Sequence, residues 1–268
     1  MCAGPARYTT PSMRALSSSD RPPPTAAPRP AWPAWLVRLV LLAYAIALIG
    51  EARQIGITLD EPKELTESYL YWLGTQGLRP GDGPPLMRIA CGWVPRLLGV
   101  PVPYGTAAWE EQNSFAIGRQ ILLDAGPKRG PWIYFCTRLA MGIFPLLTIW
   151  LVWRWGRQLF GDVIGCAVAV ALAVEPTFLG HGALIKSDVS AAFGAVLFFF
   201  QAWRYWTRPG LWRAAGLIAS LVVAVLAKFH LAPLALVAAG IFLYKGPRLA
   251  GPAVALGAVY LGLLAAYQ

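Results

Sequence analysis

Acidic residues, paired cysteines and alternating strand patterns are scarce in this chain, and each scarcity removes a class of protein. Its 268 residues carry 13 Asp and Glu against 23 Lys and Arg, a formal net charge of +10. A basic surplus is the electrostatic footprint of nucleic-acid binding, but no recognition motif accompanies it, so nucleic acid is set aside as a partner. The four cysteines, Cys2, Cys91, Cys136 and Cys166, show neither CxxC nor metal-ligand spacing. Cys136 and Cys166 fall in or beside apolar runs and read as small packing residues. Charged residues make up 13% of the chain and hydrophobic ones 57%, with a mean hydropathy of +0.52, too apolar for a water-soluble globule.

What is present is apolar length. Runs near 34–50, 132–153, 163–180, 189–206, 212–227, 230–245 and 249–267 approach the roughly 17–25 residues that a helix needs to cross about 30 Å of hydrocarbon. The fifth and sixth are short, with Lys228-Phe229-His230 between them, and read as tilted or incomplete crossings. Lipid offers no partner for backbone polar groups, and no strand alternation is seen, so the runs are helices. The expected fold class is all-α, a polytopic transmembrane helical bundle of about seven spans with a long extracytoplasmic first loop carrying interfacial helices.

The basic residues set the expected orientation. Arg7, Arg14, Arg21, Arg29 and Arg38 precede or begin the first run; Arg154 and Arg157 follow the second. Arg204, Arg208 and Arg213 separate the fourth and fifth, and Lys245 and Arg248 the sixth and seventh. With a cytoplasmic N-terminus, all of them lie inside, as the positive-inside rule requires. Residues 51–131, 176–188 and 228–230 then face outward, in a multi-pass protein of the cell (inner or plasma) membrane with its active face extracytoplasmic. Residues 1–33, rich in Pro, Ser, Ala and Arg, read as a disordered cytoplasmic tail before a membrane domain at 34–268. No small-residue cleavage site precedes Glu51, so the first run reads as a retained anchor.

The loop 51–131 is far longer than a helix connection needs, which points to function. Leu65, Tyr69, Trp72 and Leu73 recur at helical spacing, as do Ile89, Trp93 and Leu97 in the segment opened by Pro85. Both predict helices lying along the interface, where Tyr and Trp are favoured. Trp109 to Ala125 is a weaker third segment. Asp60-Glu61-Pro62 has two compatible readings: a helix start, with either acid as cap and Glu64 completing a capping box, or a carboxylate placed to take a hydroxyl proton.

Further charges fall on the same expected face: Arg88, Arg138, His181, Lys186, Asp188, Lys228 and His230. Charges held in hydrocarbon without partners are costly, so such a cluster calls for an explanation. Arg138 either snorkels to the interface or contacts a phosphate. Asp188 either caps the fourth span or joins a site, and His181 is either a loop histidine or a catalytic or ligating one. Arg138, Lys186 and Lys228 together make a cationic clamp for a leaving phosphate.

The order of these elements is familiar. An apolar span is followed by Asp60-Glu61, then by Gly83-Pro84-Pro85-Leu86 with Arg88 two residues on, then by Arg138. Leu159-Phe160-Gly161 comes next, then Gly180-His181 with Lys186-Ser187-Asp188-Val189, then Ala227-Lys228-Phe229. Over residues 34–245 this resembles the N-terminal half of the GT-C superfamily of membrane glycosyltransferases, nearest the protein O-mannosyltransferase and aminoarabinose-transferase type. The resemblance implies a polyprenyl-phosphate-linked sugar donor, bound among membrane lipids, and an extracytoplasmic acceptor hydroxyl on protein, lipid or glycan. It implies Asp60 as general base with Glu61 beside it, Asp188 as second acid, and Arg138, Lys228 and Arg88 on the lipid phosphate. Some relatives involve a divalent cation; no ligand set for one is evident here, and no metal ligand or certain cofactor is assigned. Two departures stand out: Gly83 takes the place of the usual His, and the chain stops at Gln268, short of further spans. The competing reading is a non-catalytic or truncated polyprenyl-phosphate-binding subunit. A transporter is weaker, because no internal repeat joins the two halves.

Overall fold

The computed structural model describes residues 32–74 and 83–245, with Gly257. The run predicted at 249–267, apart from Gly257, and the tail up to residue 31 lie outside the described residues, as does Cys2. Among those residues the chain is helical, with no strand.

Helix α1 (Trp32–Gln54) buries Val37, Tyr44, Leu48 and Ala52 along one stripe. Leu39, Leu42 and Ile46 stand exposed on its other side. A helix apolar on both its packed and its open faces suits lipid. Helix α2 (Glu61–Leu73) begins with Pro62 in its first turn and ends at Gly74, whose left-handed φ of 62° closes the C-terminus. Helices α3 (Pro85–Cys91), α4 (Trp93–Leu97) and α5 (Ala107–Glu110) are short connecting pieces.

Helix α6 (Ser114–Met141) is broken at Gly126, where φ 78° and ψ 176° are followed by Pro127 and Pro131. Proline lacks the N–H that the helix ladder needs, so the second half restarts in a new direction. Gly142 joins it to α7 (Ile143–Phe160). Helices α8 (Asp162–Ala173), α9 (Pro176–Gly182), α10 (Ser187–Thr207) and α11 (Leu211–Ala227) follow. A single 3-10 turn (Phe229–Leu231) then leads to α12 (Leu234–Lys245).

Two helical runs are long and apolar enough to cross a membrane, Trp32–Gln54 and Ser114–Phe160, or three when α8 and α9 are taken as one broken span. Two or three candidate spans are thus present among the described residues. Helix α11 has 17 residues and α12 has 12, about 18–26 Å at the helical rise, short of the hydrocarbon thickness. The run 163–180 is bent by 63° between α8 and α9. Pro176 breaks the ladder there, while the Glu175 carboxylate accepts hydrogen bonds from the N–H groups of Thr177 and Phe178 and starts α9 anew.

Within the segment 51–131 the helices pack on one another and on α6. Helix α2 packs against α6, α3 and α4, and buries Glu61, Pro62, Leu65, Thr66, Glu67, Ser68, Tyr69 and Leu70. Leu65 and Tyr69 share one cluster with Met87, Ile117, Ile133, Tyr134 and Ile185. The approach is close: a Cβ on Gly118 would stand 2.2 Å from the Pro62 carbonyl oxygen, so only glycine lets α6 lie this near to the start of α2. A second cluster joins α10, α11 and α12 through Phe198, Tyr205, Leu217 and Phe242. A third joins α1 to α7 and α8 through Tyr44, Leu48, Ile149 and Ala169.

Candidate functional site

The first turn of α2 carries two neighbouring acids with opposite fates. Glu61 is fully buried, and Arg138, near the end of α6, is 3% exposed. Arg138 donates from Nε to Glu61 Oε1 at 2.8 Å and from Nη2 to Oε2 at 2.6 Å. Its other donors go to the carbonyls of Ala52 (2.9 Å) in the last turn of α1 and of Ile55 (3.0 Å) and Gly56 (2.8 Å) just past it. Glu61 also accepts from Thr58 N–H at 2.9 Å, the Thr58 hydroxyl at 3.2 Å and Ile185 N–H at 3.1 Å. A guanidinium has five N–H groups, and all five are engaged inside the chain. Neither residue has a donor or an oxygen turned outward for a ligand. Arg138 is thus committed inside the chain, and with Glu61 it ties α1, α2, α6 and the segment before α10 together.

Asp60 turns the other way. It occupies the cap position of α2 without capping it, and its Oδ2 lies 3.0 Å from Lys186 Nζ with half of the side chain open. Lys186 is placed by the Glu61–Arg138 pair, since the Ile185 N–H beside it is bound to Glu61. Two residues on, in the first turn of α10, Asp188 Oδ1 accepts from Lys228 Nζ at 2.7 Å. His181 Nδ1, from the last turn of α9, lies 3.7 Å from Asp188 Oδ2. Four chain segments therefore bring Asp60, Lys186, Asp188, Lys228 and His181 to one end of the bundle. Asp188 precedes the predicted span 189–206 and does not cap it with its side chain; Lys186 holds the cap position. The hydrogen bond and charge of Lys228, with smaller help from His181 and Lys186 and against partial burial, hold the Asp188 carboxyl below the ordinary carboxylate range.

Arg88 is joined to another acid. Its Nη2 donates to Glu67 Oε2 at 3.1 Å, and the same oxygen accepts the Gly83 N–H at 3.1 Å. Lys63 Nζ stands 3.9 Å from Glu67 Oε1. Gly83 leaves room here: a Cβ on it would lie 2.5 Å from Glu67 Oε2, and the carboxylate would have to shift. Glu67 carried no sequence signal beyond its spacing in α2, and its partners lie 16 and 21 residues away. His230 sits exposed in the 3-10 turn after Lys228. Beside the Glu61–Arg138 pair, a cavity of about 500 Å³ opens between α1 and α6, with Arg53, Lys128 and Trp132 among its walls.

Among the described residues, no group of three or more His, Cys, Asp or Glu side chains is gathered for a metal ion. At the exposed end of the bundle, Asp60 and Asp188 each take a lysine as partner. No protein-family model, curated protein or solved structure matches the chain.

Proposed function

We propose that the protein is a membrane glycosyltransferase that moves a sugar from a polyprenyl-phosphate donor to an acceptor hydroxyl. The observation that carries this reading is the pairing of two half-open carboxylates with two lysines at one end of an apolar helical bundle. Asp60 takes the proton of the acceptor hydroxyl through the carboxylate oxygen not held by Lys186, while the acceptor oxygen attacks the anomeric carbon from the face opposite the phosphate. The carbon–oxygen bond to phosphate breaks, its electron pair leaves with the polyprenyl phosphate, and the configuration inverts. Each ammonium has three donors and uses one on its aspartate, so Lys186 and Lys228 have donors left for the departing phosphate. Asp188 positions Lys228, and the buried Glu61–Arg138 pair fixes the backbone from which Asp60 and Lys186 project.

The test is release of polyprenyl phosphate from a panel of lipid-linked sugars by purified protein in nanodiscs, with Asp60→Asn alongside. Turnover by the native protein, lost in the variant, supports the transferase. The second reading, a non-catalytic polyprenyl-phosphate-binding subunit, is favoured by one observation: both aspartates are already neutralised by a lysine. Donor binding without turnover, equal in Asp60→Asn, selects that reading instead.

A further inference from the structure

A second cationic site lies at the opposite end of α10 from Asp188. The helix has 21 residues, so at about 1.5 Å per residue its ends stand about 30 Å apart, the thickness of a bilayer core. At its far end a cavity of about 390 Å³ is lined by Gln158 of α7, Trp203, Arg204, Thr207 and Arg208 of α10 and its end, and Arg213 of α11. Three arginines line this space with no carboxylate in its walls, the Arg204 guanidinium also lying over the Phe200 ring. Among the described residues none of the three is in an ion pair. By contrast Arg157 in α7 is paired with Asp162 at 2.6 Å.

Fold stability accounts for only part of this arrangement. Arg204 lies in the last turn of α10, where the helix dipole favours a cation. Arg213 lies in the first turn of α11, where the same dipole disfavours one, and Gly210 leaves that N-terminus without a side-chain cap. An anion in the cavity answers both features: it pairs the guanidinium groups and meets the open N–H end of a 17-residue helix. Two of the forks are already oriented. Arg213 Nη1 donates to the Arg208 carbonyl at 2.6 Å and Arg204 Nη1 to Gln201 Oε1 at 3.1 Å, so each keeps further N–H groups for a ligand. The surroundings name the source of the anion. Leu211, Trp206 and Trp212 stand exposed at this end, Trp212 by 87%, and exposed indoles at the end of an apolar helix mark the headgroup level of a bilayer.

We propose that this cavity binds the phosphate of an anionic phospholipid headgroup, at the end of α10 away from the Asp60 cluster. The site is independent of the transferase reading and stands or falls separately from it. Phosphate oxygens accept the forked N–H pairs of Arg208 and Arg213, and the acyl chains run down the apolar flank of the bundle.

The test is native mass spectrometry of the detergent-purified full chain titrated with phosphatidylglycerol, with phosphatidylcholine and with glycerophosphoglycerol, the acyl-free headgroup. Phosphatidylglycerol is expected to bind in preference to the other two. Arg208→Ala/Arg213→Ala is expected to weaken it by about tenfold or more, the size expected for lost charge-assisted hydrogen bonds. Arg208→Lys/Arg213→Lys, which keeps charge and fold, is expected to show an intermediate loss. The charge-matched control Arg38→Ala/Arg154→Ala, at the same end of the bundle but stacked on Trp35 and Trp150, is expected to bind as the native chain does. Equal loss in that control, or full binding by the lysine pair, would mean diffuse surface charge and overturn the site. Equal binding of phosphatidylcholine overturns its anion selectivity, and equal binding of glycerophosphoglycerol overturns the lipid as its source.

Discussion

Arg138 grips Glu61 through Nε and Nη2 at 2.8 and 2.6 Å, inside a bundle that leaves both side chains almost without solvent. A buried pair of this kind is weak evidence of net stability, because two charges have been desolvated to make it. Breaking it by removing one partner is another matter, since the survivor is left charged and alone. Arg138→Ala is expected to cost about 3–5 kcal/mol and Arg138→Lys a smaller amount, because an ammonium keeps the charge but cannot reach all the acceptors. Thermal unfolding in detergent, followed by size exclusion, checks this. An Arg138→Ala protein as stable as the native chain would show that the pair does not hold the fold.

Asp60 gives the opposite pattern. Its pair with Lys186 is half open, and exposed ion pairs contribute at most about 1 kcal/mol. Asp60→Asn is therefore expected to leave unfolding unchanged while lowering transfer by about 100- to 10,000-fold, the usual worth of a positioned general base. Asp60→Glu is expected to recover part of the rate. Turnover of polyprenyl-phosphate sugar beside a melting curve makes the comparison; if Asp60→Asn melts as native and turns over as native, the base is elsewhere.

The sequence made the two neighbouring acids visible but not their division of labour. Asp60 and Glu61 are adjacent, yet what separates them is Arg138, 77 residues further on, and no local period connects positions so far apart. The start of α2 was legible from Pro62 and the helical spacing of Leu65 and Tyr69. Its burial on all sides was not, since Thr66, Glu67 and Ser68 are polar residue types and yet are covered in the fold as well. Thr66 is satisfied within α2 by the Pro62 carbonyl four residues back, whereas Glu67 is satisfied by Gly83 and Arg88, partners that only tertiary contact supplies. Helix lengths were hidden for a plainer reason: composition marks apolar runs, but Pro176 and the 3-10 turn at Phe229–Leu231 decide how far each helix runs.

Gly83 offers a test of the turn before α3. Any side chain there meets Glu67 Oε2, which is held by Arg88 and by the Gly83 N–H itself. Gly83→Ala is expected to destabilise the protein by about 1–3 kcal/mol, in the range for disturbing a buried hydrogen-bonded group. Glu67→Gln, which keeps the shape but not the charge, should remove part of that penalty in the double variant. Melting temperatures of the two single variants and the double variant give the coupling; simple additivity would mean that Gly83 and Glu67 do not interact.

Lys228 sets the pH range over which Asp188 stays ionised. Because the folded carboxyl titrates below its ordinary value, the pair contributes stability at pH above the unfolded value, and that contribution is lost as pH falls through the lowered folded one. With the side chain almost half open, the effect on stability is small and its clearer readout is activity. Lys228→Met removes the largest cause of the lowering, so the acid limb of the transfer rate is expected to move up in pH toward the ordinary carboxylate range. The maximal rate should fall as well, through loss of an ammonium beside the leaving phosphate. His181→Gln, which removes a smaller contribution, is expected to move the same limb in the same direction by less. A pH profile unchanged in both variants would detach Asp188 from the chemistry and leave its pair with Lys228 as a clasp between α10 and the end of α11.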